Sequence, residues 1–162
     1  MRMALTKPAG TGKKEEISLD SAAAHVLEEC RMVLPGIQAL FGFQLIAVFN
    51  QGFDEKLSHA EQVLHLVAIV LTTLSMALVM TPAALHRQAE PKEVSERFLW
   101  MASNMVLAGM FPLALAVGLD AYIVASVVLK NDALAVVLAI ALVAVFAFLW
   151  LVLPRREHRR HG

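Results

Sequence analysis

Four long apolar runs, separated by short polar connections, constrain this chain more than any other feature. They cover residues 32–50, 63–84, 98–128 and 133–154. Each run has roughly the 20 residues that a helix rising ~1.5 Å per residue needs to cross a ~30 Å hydrocarbon layer. The runs predict an all-α protein, a four-helix transmembrane bundle whose membrane domain spans residues 19–154.

Composition leaves little room for a soluble domain. Of the 162 residues, 58% are hydrophobic, and the four runs take up most of the length. The first ~30 residues are too few to build a core. They also lack the apolar stretch of a signal peptide, so we expect the first run to remain in the protein. There is no G-x-S-x-G motif and no phosphate-binding loop, so we expect no enzyme. The formal net charge of zero gives no reason to expect a nucleic-acid partner.

The sequence offers no set of metal or cofactor ligands. Cys30 is the one cysteine, so no intrachain disulfide can form. No His, Asp or Glu residues have the spacing of a zinc site. A bis-histidine haem needs histidines on two facing helices, whereas His65 and His86 share the second span and its end. We therefore expect neither a metal nor a cofactor.

The distribution of basic residues predicts the topology. Of 14 Lys and Arg residues, only Lys56 and Lys130 lie in the first and third connections. The others precede the first run, separate the second from the third, or follow the fourth. The positive-inside rule then predicts that both termini and the middle connection are cytoplasmic. Residues 1–18, rich in Pro, Gly and charge, are expected to be a disordered tail, and residues 155–162 a basic tail.

The ends of two runs leave alternatives open. From Leu19 onward, apolar residues recur at helical spacing and predict an N-terminal amphipathic helix, either lying along the inner interface or extending the first span. The third run with its charged flanks would extend roughly 50 Å as a straight helix. A kink at Pro112, strong tilt, or a short interfacial segment at 121–129 would absorb the excess. Asn131 is expected to cap the fourth span, which carries almost no polar side chain and is expected to be the most lipid-exposed.

Three polar side chains share one depth in the inner half of the bundle. Gln38 and Asn104 each lie seven residues beyond a charged boundary residue, ~10 Å inside the membrane, and Thr81 falls at a similar depth. We call these three residues the inner polar layer. We expect Gln38 and Asn104 to come within hydrogen-bonding reach, directly or through Thr81, and such bonds between helices have a structural role worth ~1 kcal/mol each.

A second polar set lies in the outer half. It consists of Gln44, His65 and Asp120. An ionisable residue inside a span is a functional candidate because its burial is costly unless it is paired or neutral, and histidine exchanges a proton near neutral pH. The set is therefore a candidate proton or ion relay. Alternatively, Asp120 is a solvated cap at the interface, or it forms a purely structural pair with His65.

One sequence block carries a resemblance to a known family. At E-x-C-R-x-V-L-P-G-I-Q-A-L-F-G-F-Q-L, residues 28–45, the chain resembles a family of small four-span bacterial membrane proteins without established function. The resemblance continues through M-x-P-A-A-L-H-R at 80–87 and the stretch 103–109, and covers roughly residues 25–155. Some members are labelled sodium:proton antiporters. The resemblance implies four spans and a bacterial inner-membrane location, and it supplies no catalytic residues.

Two hypotheses of function follow. The first is a non-catalytic accessory or partner-binding bundle in the lipid bilayer. The alternative is a small secondary transporter, coupled to protons or another cation, that works as an oligomer because four helices leave little room for two gates. In either case the expected partners are the lipid bilayer and further copies or another membrane protein. A buried and paired Asp120 would favour transport.

Overall fold

The computed structural model describes residues 18–89 and 95–152, and within these ranges the chain is all-α, as predicted. The predicted tails, 1–18 except for its last residue and 155–162, lie outside the described residues. The helices are α1 (Leu19–Val48), α2 (Gly52–Lys56), α3 (His59–Ala89), α4 (Glu96–Leu129) and α5 (Asp132–Ala147), which continues as a π-helical stretch, Phe148–Val152. The four long helices are each apolar and long enough to cross a membrane. The chain is therefore a multi-pass membrane protein.

Polar side chains begin the long helices. Ser18 accepts a hydrogen bond from the amide of Ser21, and Ser95 accepts one from that of Phe98. The predicted cap of the fourth span is confirmed, because Asn131 Oδ1 accepts from the amide of Leu134 at 3.1 Å. Each cap satisfies an amide that the first helical turn leaves without a partner.

The prolines inside the long helices, Pro35, Pro82 and Pro112, are accommodated without a break in the helix. α1 runs through Pro35, so the amphipathic stretch is the first part of span one and not a separate helix on the interface. α4 runs through Pro112 over 34 residues. The alternative of a separate segment at 121–129 is excluded, because these residues are the last turns of α4. The left-handed backbone of Lys130, with φ of 51°, then ends the helix and reverses the chain into α5.

α4 lies at the centre and packs against α1, α3 and α5. We call the end of the bundle that holds Gln44, His65 and Asp120 the upper end. The opposite end, where Ala23 and Leu85 pack against Phe98, is the lower end. Between them, Cys30 and Ile37 of α1 contact Val79 of α3, which continues the core across the bundle.

One face of α3 forms most of the contact with its neighbours. Its members, called here the α3 seam, recur at alternating spacings of four and three: Glu61, His65, Ala68, Thr72, Ser75, Val79, Pro82 and His86. This period of 3.5 is typical of helices that keep one face against a partner over several turns. The approach is close at Ser75, whose hydroxyl donates to the Gly109 carbonyl at 2.7 Å. A Cβ on Gly109 would lie 3.0 Å from Cγ2 of Val79 and 3.3 Å from the Ser75 carbonyl oxygen, so a larger residue would push the two helices slightly apart.

α5 is peripheral. Ala135 is its one fully buried residue, which confirms that the fourth span is the most exposed of the four. It packs against α4 at Gly118, where an added Cβ would overlap Cγ2 of Val143. Small residues let two apolar helices approach closely where no hydrophobic effect drives them together.

Candidate functional site

Side chains from three helices meet at the upper end. Nε2 of Gln44 on α1 donates to Oδ2 of Asp120 on α4 at 2.7 Å. Nε2 of His65 on α3 lies 2.9 Å from the backbone carbonyl oxygen of Gln44. Nδ1 of His65 lies 3.5 Å from Oδ1 of Asp120. The structure therefore brings together the three residues of the predicted relay, which we call the upper cluster.

Each member reaches the cluster because its helix presents it to the bundle interior. Gln44 stands one turn before the end of α1 and is 3% exposed. His65 belongs to the α3 seam, and its side chain is 8% exposed. The Asp120 side chain keeps 21% exposure, so the alternative of a fully solvated interfacial cap does not fit its position. The carboxyl group is therefore partly buried and keeps a small exposed surface.

The geometry fixes how many protons suit the His65–Asp120 pair. A carbonyl oxygen only accepts, so Nε2 of His65 carries a hydrogen and donates to Gln44. Nδ1 then faces a carboxylate oxygen. Two lone pairs at this distance repel, and one further proton relieves the repulsion, whether it resides on the imidazole or on the carboxyl group. The pair is neutral with that proton and carries one negative charge without it.

One acceptor in the cluster has no partner. Oε1 of Gln44 is buried and accepts no hydrogen bond from any described residue. A buried polar atom without a partner costs about 1–3 kcal/mol, so its retention at a titratable pair calls for an explanation. A proton-bearing group or a cation that entered the cluster would meet this oxygen.

A second group of polar residues lies beside the upper cluster. Glu61 Oε1 accepts from the Ser126 hydroxyl of α4 at 2.6 Å, and its Oε2 accepts from both the hydroxyl and the amide of Ser58. The ring of Phe53 packs edge-on against His65, with centroids 5.4 Å apart. Sequence reasoning did not identify Ser126 or Glu61 as part of the site. The position of Glu61 on the α3 seam, four residues before His65, is the signal that could have found it.

The inner polar layer is not assembled. The Asn104 amide donates to the Trp100 carbonyl at 2.8 Å, and the Thr81 hydroxyl donates to Ala77 at 2.8 Å. Gln38 is exposed and has no hydrogen bond to a described residue. The predicted contact between Gln38 and Asn104 is therefore wrong. Thr and Asn satisfy their polar groups on the carbonyl one turn earlier in their own helices, which removes the need for a partner across the bundle.

The α3 seam carries further polar residues below the upper cluster. The Thr72 hydroxyl donates to Ala68 in its own helix, and Ser75 donates to α4. Below Ser75, the seam continues with Val79 and Pro82, which are apolar and buried. In the described ranges, no unbroken series of polar side chains joins the upper end to the lower one.

The described part of the chain has no set of side chains that could hold a metal ion. No group of three or more His, Cys, Asp and Glu side chains lies close enough to hold an ion in residues 18–89 and 95–152. The carboxylate of Asp120 and the free Oε1 of Gln44 are too few donors for a complete cage. The His65–Asp120 pair has the groups to hold and release one proton.

The chain matches, over residues 13–154, the model of a family described as "Family of unknown function (DUF6328)". This match covers most of the chain, and the protein belongs to that family. The predicted resemblance to a family without established function is thereby confirmed, whereas its bacterial origin and antiporter label stay predictions. No curated protein and no solved structure matches the chain significantly.

Proposed function

We propose that this four-span member of the DUF6328 family is a small proton-coupled secondary transporter whose upper cluster is the proton-binding site. One observation carries the proposal. Nδ1 of His65 faces Oδ1 of Asp120 at 3.5 Å while its Nε2 is committed to a backbone carbonyl. That arrangement suits one exchangeable proton inside a span, and the protein needs no enzymatic activity to use it.

Loss of the proton changes the forces between helices. The neutral pair holds α3 and α4 together at the upper end, and Gln44 joins α1 to both. Without the proton, the cluster carries a negative charge in a medium of low dielectric constant, where an unpaired charge costs several kcal/mol. Opening of the cluster to water relieves this cost. Proton release and helix separation are therefore coupled, which is the elementary requirement of a proton-driven carrier.

The charge distribution supports an orientation for this carrier. Lys56 and Lys130 lie at the upper end, whereas Arg31, Arg87 and Arg97 lie at the lower end, and the other nine basic residues precede the first span, separate the second from the third or follow the fourth. By the positive-inside rule the lower end is then cytoplasmic, and the upper cluster faces the outside of a bacterial inner membrane. A proton would enter the cluster from the side of higher proton concentration in an energised cell.

Transport through this bundle calls for more than one copy. The described helices bury little of their surface within one chain, and α5 is almost fully exposed. Small transporters gain a central pathway by joining repeats or subunits. We propose a homo-oligomer, in which a second copy completes the path that the apolar lower half of the α3 seam does not provide in one chain.

Proton flux in proteoliposomes tests the proposal. The purified protein is reconstituted around a pH-sensitive dye, and a pH step is imposed with Na⁺ and K⁺ present as exchangeable cations, because a coupled carrier moves protons only together with or against a second ion. We expect faster equilibration than in protein-free vesicles, and at least a tenfold loss of the added rate in Asp120→Asn. Asp54→Asn is the matched control, since Asp54 is an exposed carboxylate in α2 at the same end. Wild-type vesicles that equilibrate no faster than protein-free ones would refute the proposal, as would equal losses in both variants.

The apolar part of the α3 seam below Ser75 favours a second candidate function, a non-catalytic accessory bundle. Val79 and Pro82 are buried and carry no polar atom in their side chains, and buried apolar packing suits a static scaffold. In that case the His65–Asp120 pair is structural, and Asp120→Asn changes the stability of the bundle and its association with a membrane partner, but no flux.

A further inference from the structure

A crevice between α1 and α3 opens at the lower end of the bundle. It has a volume of about 330 Å³, and its walls combine a basic rim with apolar sides. The residues that matter here are Arg31, Arg87 and His86 at the rim and Leu34, Val79 and Met80 on the sides. It lies at the opposite end from the upper cluster and shares no residue with it.

The rim holds positive charge that the described chain does not neutralise. Arg31 has one ion pair, with Glu28 at 3.5 Å, in which the two side chains are 81% and 56% exposed. Such exposed pairs contribute little and exchange readily. Arg87 forms no ion pair with any residue in the described ranges. Two guanidinium groups thus have hydrogen-bond donors to offer to an incoming anion.

His86 provides an independent observation. Its Nδ1 is buried and has no hydrogen-bond partner among the described residues. Its ring is held in place by Phe98, with centroids 5.6 Å apart. A ring nitrogen that is buried, fixed and without a partner is the kind of group that a bound ligand satisfies.

We propose that this crevice binds a phosphate group, held by Arg31, Arg87 and His86. Guanidinium groups bind phosphate oxygens through paired N–H donors, and basic pockets between spans bind lipid headgroups. The apolar side walls suit the acyl chain of an anionic phospholipid, and a soluble phosphate ester would use the same rim. The proposal does not depend on proton transport.

Native mass spectrometry of the full-length protein in detergent tests this site. The probes are phosphatidylglycerol, diacylglycerol with the same acyl chains and no phosphate, and glycerol phosphate. We expect one phosphatidylglycerol per chain, held about fivefold more weakly by Arg87→Gln and about 25-fold more weakly by the double variant Arg31→Gln/Arg87→Gln. Arg97→Gln is the matched control, because Arg97 is exposed on α4 outside the crevice, and it should bind as the wild type does.

The variant His86→Phe distinguishes binding in this crevice from a general attraction of the protein to anionic lipid. It keeps an aromatic ring against Phe98 and removes the ring nitrogens, and we expect binding to weaken several-fold. Binding of glycerol phosphate with the same dependence on Arg87 would support the phosphate site and identify a soluble ligand. Equal weakening by Arg87→Gln and Arg97→Gln, or equal binding of both lipids, would overturn the proposal.

Discussion

The two ends of the bundle use similar polar residues in opposite ways. At the upper end, hydrogen bonds cross helix boundaries: the Gln44 side chain of α1 bonds to Asp120 of α4, and the His65 side chain of α3 bonds to the backbone carbonyl of Gln44. In the inner polar layer, nearer the lower end, Thr81 and Asn104 bond to carbonyl groups of their own helices and Gln38 is exposed. Within each set, the residues lie at a similar depth in neighbouring spans. Depth is therefore insufficient to bring polar residues together.

The direction of each side chain around its helix makes the difference. Gln38 and Gln44 are six residues apart on α1, which turns them about 120° away from each other. Since α1 shows one face to α3 and α4, at most one of the two can point into the bundle. Gln44 and His65 both point inward, and Asp120 meets them there. The side chains of the inner polar layer would have met only if their helices were rotated differently about their own axes.

The largest expected contrast is between the two glutamines of α1. Gln44→Leu removes the donor to Asp120 and should lower the free energy of unfolding by about 2 kcal/mol, because it leaves the partly buried carboxyl group of Asp120 without that partner. Gln38→Leu should change it by less than about 0.5 kcal/mol. Unfolding of the purified protein in micelles measures both. If the two variants lose the same stability, the ends do not differ as described.

A double-mutant cycle sharpens the comparison further. The cycle of His65→Leu and Asp120→Asn should give a coupling energy of about 1 kcal/mol, since the two side chains interact directly. The cycle of Thr81→Val and Asn104→Leu should give a coupling energy near zero, because each residue bonds within its own helix. The same unfolding measurement serves for all variants. Coupling in the second cycle as large as in the first would show that the lower end is also joined across helices.

The smallest expected effect concerns the serine beside the upper cluster. Ser126→Ala removes the donor to Glu61 and should cost about 0.6 kcal/mol, the average for a side-chain hydrogen bond between membrane helices. Thr81→Val removes a hydroxyl that bonds within α3 and should leave stability unchanged within error. A loss in Thr81→Val that matches the loss in Ser126→Ala would contradict the contrast between bonds across helices and bonds within one.

The four long helices could be predicted from the sequence because hydropathy is a property of each residue and its near neighbours. Sequence reasoning predicted the four spans, the cap at Asn131 and the exposure of α5, all of which depend on local patterns. It named the members of the upper cluster from their chemistry and weighed a pair of His65 and Asp120, but it did not predict the bonds that Gln44 makes to both. It failed for the inner polar layer because contacts between helices depend on rotation and close approach, as at Ser75 and Gly109, which no short window of sequence specifies.

The two hydrogen bonds of Gln44 have a mechanical consequence. Its side chain is tied to α4 and its backbone carbonyl to α3, so a single residue anchors α1 to both neighbours. Because both bonds start from one residue, a rotation of α1 about its own axis would displace both of them. The contact of α1 with α3 and its contact with α4 are thereby mechanically linked at the upper end.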